Sequence, residues 1–559
     1  MKKRIIKLLA IILAIALSTV GCTKEKNNEN SNSNEYNIQQ SDYIHLTMLF
    51  PKTINPILNT DKSVGYIMNL IYDGLFEIDE EYNVEPRLVE NYTLLSNGKK
   101  LNIKLNSNAT WHDNNKVTSS DVKYTIDLIK KNTTSPYVGL VDNIESLSIE
   151  DSENFTINLK ENDPFIVEKL TFPIVSKDKL GELNAEQIKE YKNNNIGNGP
   201  YKIKKYEDRQ YLILERNEEY FGDLPENRKE IYVKMVPDKE SQTEMVLSLD
   251  SDIANISLED LSKFEDKKEF NLTEYEGRDY DMVMFNYDNE YLNNVNFRKA
   301  IISSIDREAL LKDSYVGYAT PSNFPLNTKS KYYNSNIESL PYDKEKSFKY
   351  LEQALISMNQ SLKEEEAARK IKENSANLSG IIEDNSTSGT DNTDTALTKD
   401  EMKEILADIE LKIVVSADNG ERVKVAQVIS ESLDSLGIKT VVEELDSKEM
   451  SKALALKEYD LAIVGYSLSS VPDASKILEA CNINDTKLSS YIHSLKNSKS
   501  EKDTKKIYDQ IQKYVVDQGL FISLGILDNF VVSNKRLEGT IYPNDFDIYK
   551  GISNLQMSK

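Results

Sequence analysis

A regular alternation of apolar strand-like and helix-like runs between residues 411 and 464 constrains the fold most. Strand-like runs occupy residues 411–415, 440–442 and 461–464. The first run between them carries apolar residues at four-residue spacing and stops at Gly437, which is typical of an amphipathic helix. Parallel strands need a crossover connection, usually a helix. The alternation therefore predicts a βαβαβ unit and a partly parallel sheet in the C-terminal half.

Two local signals place elements in the N-terminal half. Residues 92–95 and 101–105 flank Asn97 and Gly98, a dipeptide suited to the positive φ angles of a type I′ turn, so a β-hairpin is predicted. Residues 118–121 read Thr-Ser-Ser-Asp and precede apolar residues at helical spacing. This capping-box-like pattern predicts a helix N-terminus.

Chain length and charge bound the class of protein. The chain has 559 residues, whereas a domain usually has about 100–200, so two or three folded units are expected. The formal charge is −23, and a leader that carries Lys2, Lys3, Arg4 and Lys7 without an acid leaves the remainder at −27. Phosphate binding needs clustered cations. Nucleic acid is therefore not an expected partner, and neither is an anionic membrane surface.

The few cysteines and histidines limit the possible chemistry. Cys22 and Cys481 are the only cysteines, which excludes a disulfide framework, and Cys481 is interpreted as a structural thiol. The three histidines are scattered, without an HExxH pair, and no GxSxG elbow is present. We predict no catalytic residue, no metal ligand and no cofactor, and hence a protein that is not an enzyme.

The N-terminus has the pattern of an export signal and a lipid anchor. Residues 1–21 combine a basic start, an apolar run and small residues before Cys22. Residues 17–22 resemble a bacterial lipobox, although Thr19 stands where leucine is usual, and this resemblance implies lipidation of Cys22. Residues 22–42 are too polar to order and predict a flexible tether. The expected location is the extracytoplasmic face of the cell membrane; the alternative is a secreted protein with a free Cys22.

Residues 360–401 differ abruptly in composition from their surroundings. A Lys/Glu-rich piece, which suits a short solvated helix, gives way at 386–395 to Ser, Thr, Gly, Asp and Asn. Such a stretch has too little apolar surface to order itself. A disordered surface insertion is predicted.

A series of short motifs follows in order along the chain. They lie at residues 55–56, 71–76, 85–90, 109–113, 117–122, 135–137, 197–201, 297–300 and 305–310. Together these motifs resemble the family 5 extracellular solute-binding proteins, which include oligopeptide-, dipeptide- and nickel-binding components of ABC importers. The motifs span about residues 43–330, and the βαβαβ run extends the resemblance.

The resemblance implies a two-lobed α/β fold of the periplasmic-binding-protein type II class, with mixed sheets flanked by helices. It implies a hinge of crossing strands and an extra subdomain. By that pattern the first lobe comprises residues 43–66, 192–278 and 527–559, the subdomain comprises 67–191, and the second lobe comprises 279–526. Ligand is expected in the cleft between the lobes, which close around it.

The resemblance also implies where ligand is contacted. Phe50, Lys52 and Thr53 match a first-lobe edge that pairs with the backbone of a bound peptide in peptide-binding members. Tyr137 matches a subdomain loop that presents an aromatic ring to the cleft. Tyr466, within residues 465–469, matches the second-lobe strand and the loop after it.

Two further residues of that second-lobe segment, Ser467 and Ser469, are also expected to contact ligand. Peptide binders often place an aspartate at the position of Ser469, where it pairs with the ligand's α-ammonium. A serine cannot supply that charge-assisted bond. Asp473 lies four residues further on and is the expected substitute if the loop folds back.

The remaining motif residues are interpreted as structural. Trp111 is expected to fill a core, while His112 and Asp113 pin the loop beside it. Gly197 and Gly199 are expected to adopt backbone angles closed to other residues, at a tight crossover between lobes. For residues 298–307 we expect a helix capped by Asp306, with solvated arginines.

Three functions remain open at this point. The first is a monomeric receptor that captures extracellular peptides and delivers them to an ABC permease and its ATPase. The second is a receptor of the same fold for another solute, or for a blocked peptide, or one that senses a ligand. The third is a surface enzyme or an adhesin, which would need chemistry or repeats that the sequence does not show.

Overall fold

The computed structural model describes residues 43–95, 98–191, 196–225, 230–377 and 399–558. The predicted signal peptide, Cys22 and the tether lie outside the described residues. So do Asn97 of the predicted turn and the Ser/Thr-rich part of the predicted insertion.

Nineteen strands are defined within the described residues. They are β1 Tyr43–Leu49, β2 Phe76–Ile78, β3 Val84–Pro86, β4 Val89–Leu95, β5 Lys100–Leu105, β6 Ile144–Ile149, β7 Asn154–Leu159, β8 Tyr201–Glu207, β9 Tyr211–Arg216, β10 Glu230–Val236, β11 Ile253–Ile256, β12 Phe270–Phe285, β13 Ala319–Pro321, β14 Glu410–Ser416, β15 Lys439–Leu445, β16 Leu461–Ser467, β17 Ile522–Asn534, β18 Leu537–Glu538 and β19 Gln556–Met557.

The helices alternate with these strands. They are α1 Lys62–Met68, α2 Ser119–Lys131, α3 Val138–Val141, α4 Lys177–Leu180, α5 Ala185–Lys189, α6 Lys239–Leu247, α7 Glu290–Asn293, α8 Val295–Ser304, α9 Arg307–Ser314, α10 Lys344–Asn377, α11 Lys399–Ala407, α12 Gly420–Asp434, α13 Ser447–Leu456, α14 Ser475–Ala480, α15 Thr486–Lys496 and α16 Glu501–Gln518. Two short 3-10 turns occupy Leu261–Lys263 and Ile552–Asn554.

The strands form three larger sheets. One has the order β1-β10-β9-β8, and a second has the order β4-β5-β7-β6. The third has the order β11-β17-β12-β16-β14-β15, with β13 beside β17. In this third sheet β14 pairs in parallel with both β15 and β16, so the predicted βαβαβ unit is confirmed.

Two long antiparallel strands, β12 and β17, join the halves of the third sheet. One half of their pairing runs from Phe270 to Glu276 on β12, where β11 continues the sheet on β17. The other half begins at Tyr280, where β16 continues the sheet on β12. The register shifts between Glu276 and Tyr280. A shift of this kind bends the strands locally and separates the two halves.

Apolar clusters lie on both sides of these long strands. One cluster joins β1, α1 and the sheet of β4–β7, and two others pack around β14–β16 and their helices. Trp111 belongs to the first cluster at 3% exposure, as predicted. The molecule therefore has separate cores linked by continuous strands.

The local predictions in the N-terminal half are confirmed. β4 and β5 pair in antiparallel register around Gly98, whose φ is +83°. At α2 the Asp121 Oδ2 accepts a hydrogen bond of 2.9 Å from the backbone N–H of Thr118, which completes a capping box.

In the predicted insertion, α10 continues as a helix to Asn377.

The prediction of solvated arginines is wrong. Arg298 is 4% exposed, and its guanidinium donates to the carbonyl oxygens of Gln518 and Gly519 at 2.9 Å. These carbonyls end α16, and the C-terminal carbonyls of a helix lack partners within it. Arg307 is partly buried and donates to backbone oxygens as well. Asp306, as predicted, caps α9 by accepting from the N–H of Ala309.

The reason for the glycines at 197 and 199 also differs from the prediction. Neither has a positive φ. A Cβ atom on Gly197 would lie 1.9 Å from the carbonyl oxygen of Ile71, and one on Gly199 would lie 2.7 Å from the carbonyl carbon. Close backbone approach therefore requires these glycines. His112 pins the same crossover, because its Nδ1 accepts from the N–H of Gly197 and its Nε2 contacts the Gly199 oxygen at 3.1 Å.

We expect Gly197→Ala to destabilise the protein. Its methyl group would displace the Ile71 carbonyl, and such overpacking costs about 1–3 kcal/mol. Gly139→Ala is the matched control, because nothing lies within 4 Å of its Cβ position. Thermal unfolding should show a lower midpoint for the first variant alone. Equal midpoints would contradict the close-approach argument.

Three carboxylates lie close together on the paired strands β12 and β17. Glu276 pairs with Asp528 in register, and Glu274 lies two residues away on β12. Burial raises the pKa of Asp528 to about 7, and the neighbouring carboxylates add to this rise. The Thr320 hydroxyl donates to its Oδ1 at 2.8 Å. The folded protein therefore holds a proton at Asp528 that the unfolded chain releases in weak acid.

This proton predicts a pH-dependent effect of Asp528→Asn. The pKa of Asp528 in the folded protein lies above the unfolded value of 3.8. Ionisation of this carboxyl therefore lowers the stability of the wild-type protein as pH rises from about 4 to about 7. The variant should melt higher than wild type at pH 8, with a smaller difference at pH 5. Thermal unfolding at both pH values measures this. The exposed Asp313→Asn makes the same charge change away from this cluster and is the matched control.

Candidate ligand-binding cleft

A cavity of about 470 Å³ lies between parts of the chain that belong to different halves of the molecule. Its walls come from the segment between α1 and β4, the loop before α3, the strand β12, the loop after β16 and the segment after β18. Cavities of this size commonly hold small ligands. A smaller cavity of about 30 Å³ adjoins it and shares Ser469 and Ser470.

Three of the predicted contact residues line these cavities. Tyr137 and Ser469 lie in the wall of the larger cavity, in the loop before α3 and the loop after β16 respectively. Asp473 lies in the wall of the smaller one, together with Ser469. Burial raises the pKa of Tyr137 to about 12, so its hydroxyl stays protonated and can donate. The structure thus brings together residues separated by more than 300 positions.

Phe50, Lys52 and Thr53 line neither cavity. The Phe50 N–H donates to Val236 at 2.9 Å, and its ring lies 5.7 Å below the guanidinium of Arg209. The Thr53 hydroxyl is buried and accepts from the N–H of Asn55. Their contact with ligand stays a prediction.

Tyr466 and Ser467 also lie outside both cavity walls. The Tyr466 hydroxyl contacts the sulfur of Met284 at 3.6 Å, and burial raises its pKa to about 12. Ser467 is exposed and pairs with Asp279 in the sheet. Their ligand contacts likewise stay predictions.

The carboxylate of Asp473 is engaged within its own loop. One oxygen accepts a hydrogen bond of 3.0 Å from the N–H of Ser475, at the start of α14. This bond holds the side chain at a helix terminus. The residue lines the smaller cavity, whose volume is about 30 Å³.

A charged network in the larger cavity was not predicted from the sequence. Asp73 accepts from the Tyr220 hydroxyl at 2.8 Å and from Arg87 Nε at 3.3 Å. Arg87 also contacts Glu77 at 3.4 Å. Burial raises the pKa of Asp73, and the nearby Arg87 opposes that rise. Asp73 and Arg87 lie inside two of the motifs, so the sequence carried a signal for this network.

A second unpredicted wall comes from residues 544–550. Arg278 pairs with Asp545 at 3.0 Å and lies 4.4 Å over the ring of Phe546. Asn69 donates to the Phe546 carbonyl at 2.8 Å. Asp547 faces the cavity from this segment, and burial raises its pKa to about 6. No local pattern in the sequence marks this segment.

The arrangement suits reversible, non-covalent binding. The walls combine aromatic rings, paired charges and serine hydroxyls. Burial raises the pKa of the Cys481 thiol to about 12, which leaves it a poor nucleophile. Within the described ranges no group of three or more His, Cys, Asp or Glu side chains could hold a metal ion. None of the helices in those ranges is long and apolar enough to span a bilayer.

A family model described as bacterial extracellular solute-binding proteins, family 5 Middle, matches residues 83–487. The chain therefore belongs to the bacterial extracellular solute-binding proteins of family 5. This confirms the family that the motifs indicated.

Individual relatives agree with that membership. The oligopeptide-binding protein AppA of Bacillus subtilis is 24% identical over 558 residues, which cover 96% of each chain. Among solved structures, the substrate-binding protein CtaP from Listeria monocytogenes has a TM-score of 0.70 at 20% identity, covering 92% of this chain and 99% of its own. AppA from Bacillus subtilis in complex with a nonapeptide has a TM-score of 0.58 at 21% identity, covering 93% and 99%. The predicted fold class is confirmed.

Proposed function

We propose that this protein is the peptide-binding component of an ABC importer. The observation that carries the proposal is the cavity of about 470 Å³ whose walls come from β12 and from segments far apart in the chain. The similarity of the chain to an oligopeptide-binding protein, over 96% of both chains, favours a peptide ligand over another solute. The ligand is bound and released without a change in its covalent bonds.

Both the site and the hinge support this function. A bound peptide must satisfy its own N–H and C=O groups, and hydroxyl, carboxylate and guanidinium groups in the wall offer partners. Ser469 and Ser470 belong to the proposed second lobe, and separation of the proposed lobes would open the cavity that these serines line. The register shift between Glu276 and Tyr280 is consistent with a hinge at which the proposed lobes move.

The same proposal covers the anchor and the transport partners. The mature chain is a monomer held by a lipid on Cys22 at the extracytoplasmic face of the membrane. From there it delivers ligand to a permease driven by an ATPase. Two or three acyl chains hold a protein stably at a membrane, since each buried CH₂ contributes about 0.8 kcal/mol.

Peptides should stabilise the purified protein. A ligand that binds the folded state alone stabilises it by about 2.7 kcal/mol at a hundredfold excess over Kd. We expect pooled synthetic peptides at millimolar concentration to raise the thermal midpoint, and mass spectrometry to identify peptides that co-purify. The absence of both would contradict peptide capture.

Ser469→Trp should obstruct the cavity and weaken peptide binding about tenfold or more. The exposed serine lies in the wall that the cavities share, so an indole placed there would occupy ligand volume. Ser494→Trp on the exposed face of α15 is the matched control. Titration calorimetry with the same peptides measures both. Equal affinity of the two variants would place the ligand elsewhere.

Cys22→Ala should release the protein from the membrane. Without the thiol no acyl chain is attached, so the variant should appear in the soluble fraction and incorporate no radiolabelled palmitate. Wild type should incorporate the label. A labelled Cys22→Ala variant would show that the anchor is elsewhere.

A further inference from the structure

One phenylalanine of the proposed subdomain is buried in a hydrophobic core that otherwise belongs to a later part of the chain. Phe165, between β7 and α4, is 2% exposed. The centroid of its ring lies 5.8 Å from that of Tyr332 and 6.3 Å from that of Tyr508. Among the described residues, every other buried member of this cluster lies between 280 and 526. The burial of Phe165 therefore depends on the proposed second lobe.

The residue that follows Phe165 belongs to a different core. Ile166 is buried in the cluster that joins β1, α1 and the sheet of β4–β7. The boundary between the two cores thus passes between neighbouring residues. Movement at the register shift between Glu276 and Tyr280 would change the distance between these cores, because β12 carries residues of both.

Polar contacts accompany the ring across the same boundary. The Asn162 side-chain nitrogen donates to the carbonyl oxygens of Lys496 and Ser498 at 2.8 and 3.0 Å. Lys496 is the last residue of α15, where backbone carbonyls lack partners within the helix. We name the contacts of residues 162–168 with the proposed second lobe the clasp.

A charged contact also belongs to the clasp. The Lys331 ammonium lies 3.8 Å from the carboxylate of Glu168 and 2.7 Å from that of Glu501. Burial raises the pKa of Glu168, and the nearby Lys331 opposes that rise. A cation from the proposed second lobe therefore helps to compensate a carboxylate buried on the subdomain side.

The segment that carries Phe165 is held by contacts within the proposed subdomain. Asp163 accepts a hydrogen bond of 3.1 Å from the N–H of Phe165 and pairs with Lys169 at 2.5 Å. Asn143 donates to the same carboxylate at 3.4 Å. These contacts do not require residues 279–526, so the ring is positioned before the two surfaces meet, which lowers the entropy cost of their contact.

We propose that Phe165 is a positioning residue for ligand capture: its ring docks between Tyr332 and Tyr508 when the molecule closes around ligand, and withdraws when the molecule opens. The inference rests on the proposed function and goes beyond it. Residues 162–169 line neither of the two cavities, so Phe165 acts without touching ligand. A ligand held only by the closed form binds with an apparent affinity that falls with the fraction of closed molecules. The clasp increases that fraction.

The first test measures peptide affinity in variants of the clasp by titration calorimetry with the pooled synthetic peptides. Phe165→Ala should raise Kd about tenfold or more, because the bound form alone loses the burial of a ring. Asn162→Ala removes two hydrogen bonds without opening a core and should raise Kd at least about threefold.

Phe264→Ala is the matched control. Phe264 is 3% exposed and packs in a separate cluster with Phe270 and Phe530. This variant should lower the thermal midpoint and leave Kd unchanged. An unchanged Kd in Asn162→Ala and in Phe165→Ala would overturn the inference, because a permanent structural contact affects unfolding and not ligand affinity.

The second test measures the opening of the clasp directly. Spin labels are attached at Glu161→Cys and Lys499→Cys, two exposed positions beside the clasp, in the full-length chain with Cys22→Ala. Cys481 is 3% exposed and should stay unlabelled. The distance between the labels, from pulsed electron paramagnetic resonance, should be shorter with the pooled peptides than without them.

Equal distances in a protein that binds peptide would overturn this inference and leave peptide capture standing. Failure of wild type to bind the pooled peptides would remove the proposed function and this inference together.

Discussion

The antiparallel pairing of β12 with β17 is the interaction on which the rest of the structure depends. These strands belong to one sheet, yet β11 extends that sheet at one end and β16 at the other. Ladder hydrogen bonds keep the two ends connected, and the irregular register between Glu276 and Tyr280 gives the connection a place to bend. The cavity exists because separate hydrophobic cores pack on either side of this irregular segment.

Much of the fold could be predicted because the signals are local. Strand and helix periodicity predicted the βαβαβ unit of β14 to β16, and the Thr118 capping box predicted the start of α2. The errors arose where the cause lies in another part of the chain. Gly197 is required by the carbonyl of Ile71, and Arg298 is buried because α16 ends beside it. Neither partner is visible from the local sequence.

The candidate site was less predictable for the same reason. Tyr137 and Ser469 were predicted because motifs marked them, and Asp473 because it lies four residues after Ser469; the structure places all three in cavity walls. Arg278 and Asp547 were missed because a charged residue in a chain with 92 acids is uninformative until its partners are known. The surroundings of each residue become clear only in the structure. Arg278 pairs with Asp545, whereas Asp547 contacts no cation among the described residues.

The wall that Asn69 and Phe546 share joins positions 477 residues apart in the chain. Because a chain is synthesised from its N-terminus, α1 is complete long before residues 546–550 are made. This wall of the cavity therefore cannot assemble until nearly the whole chain is present. A chain that ends upstream of residue 546 lacks the wall altogether.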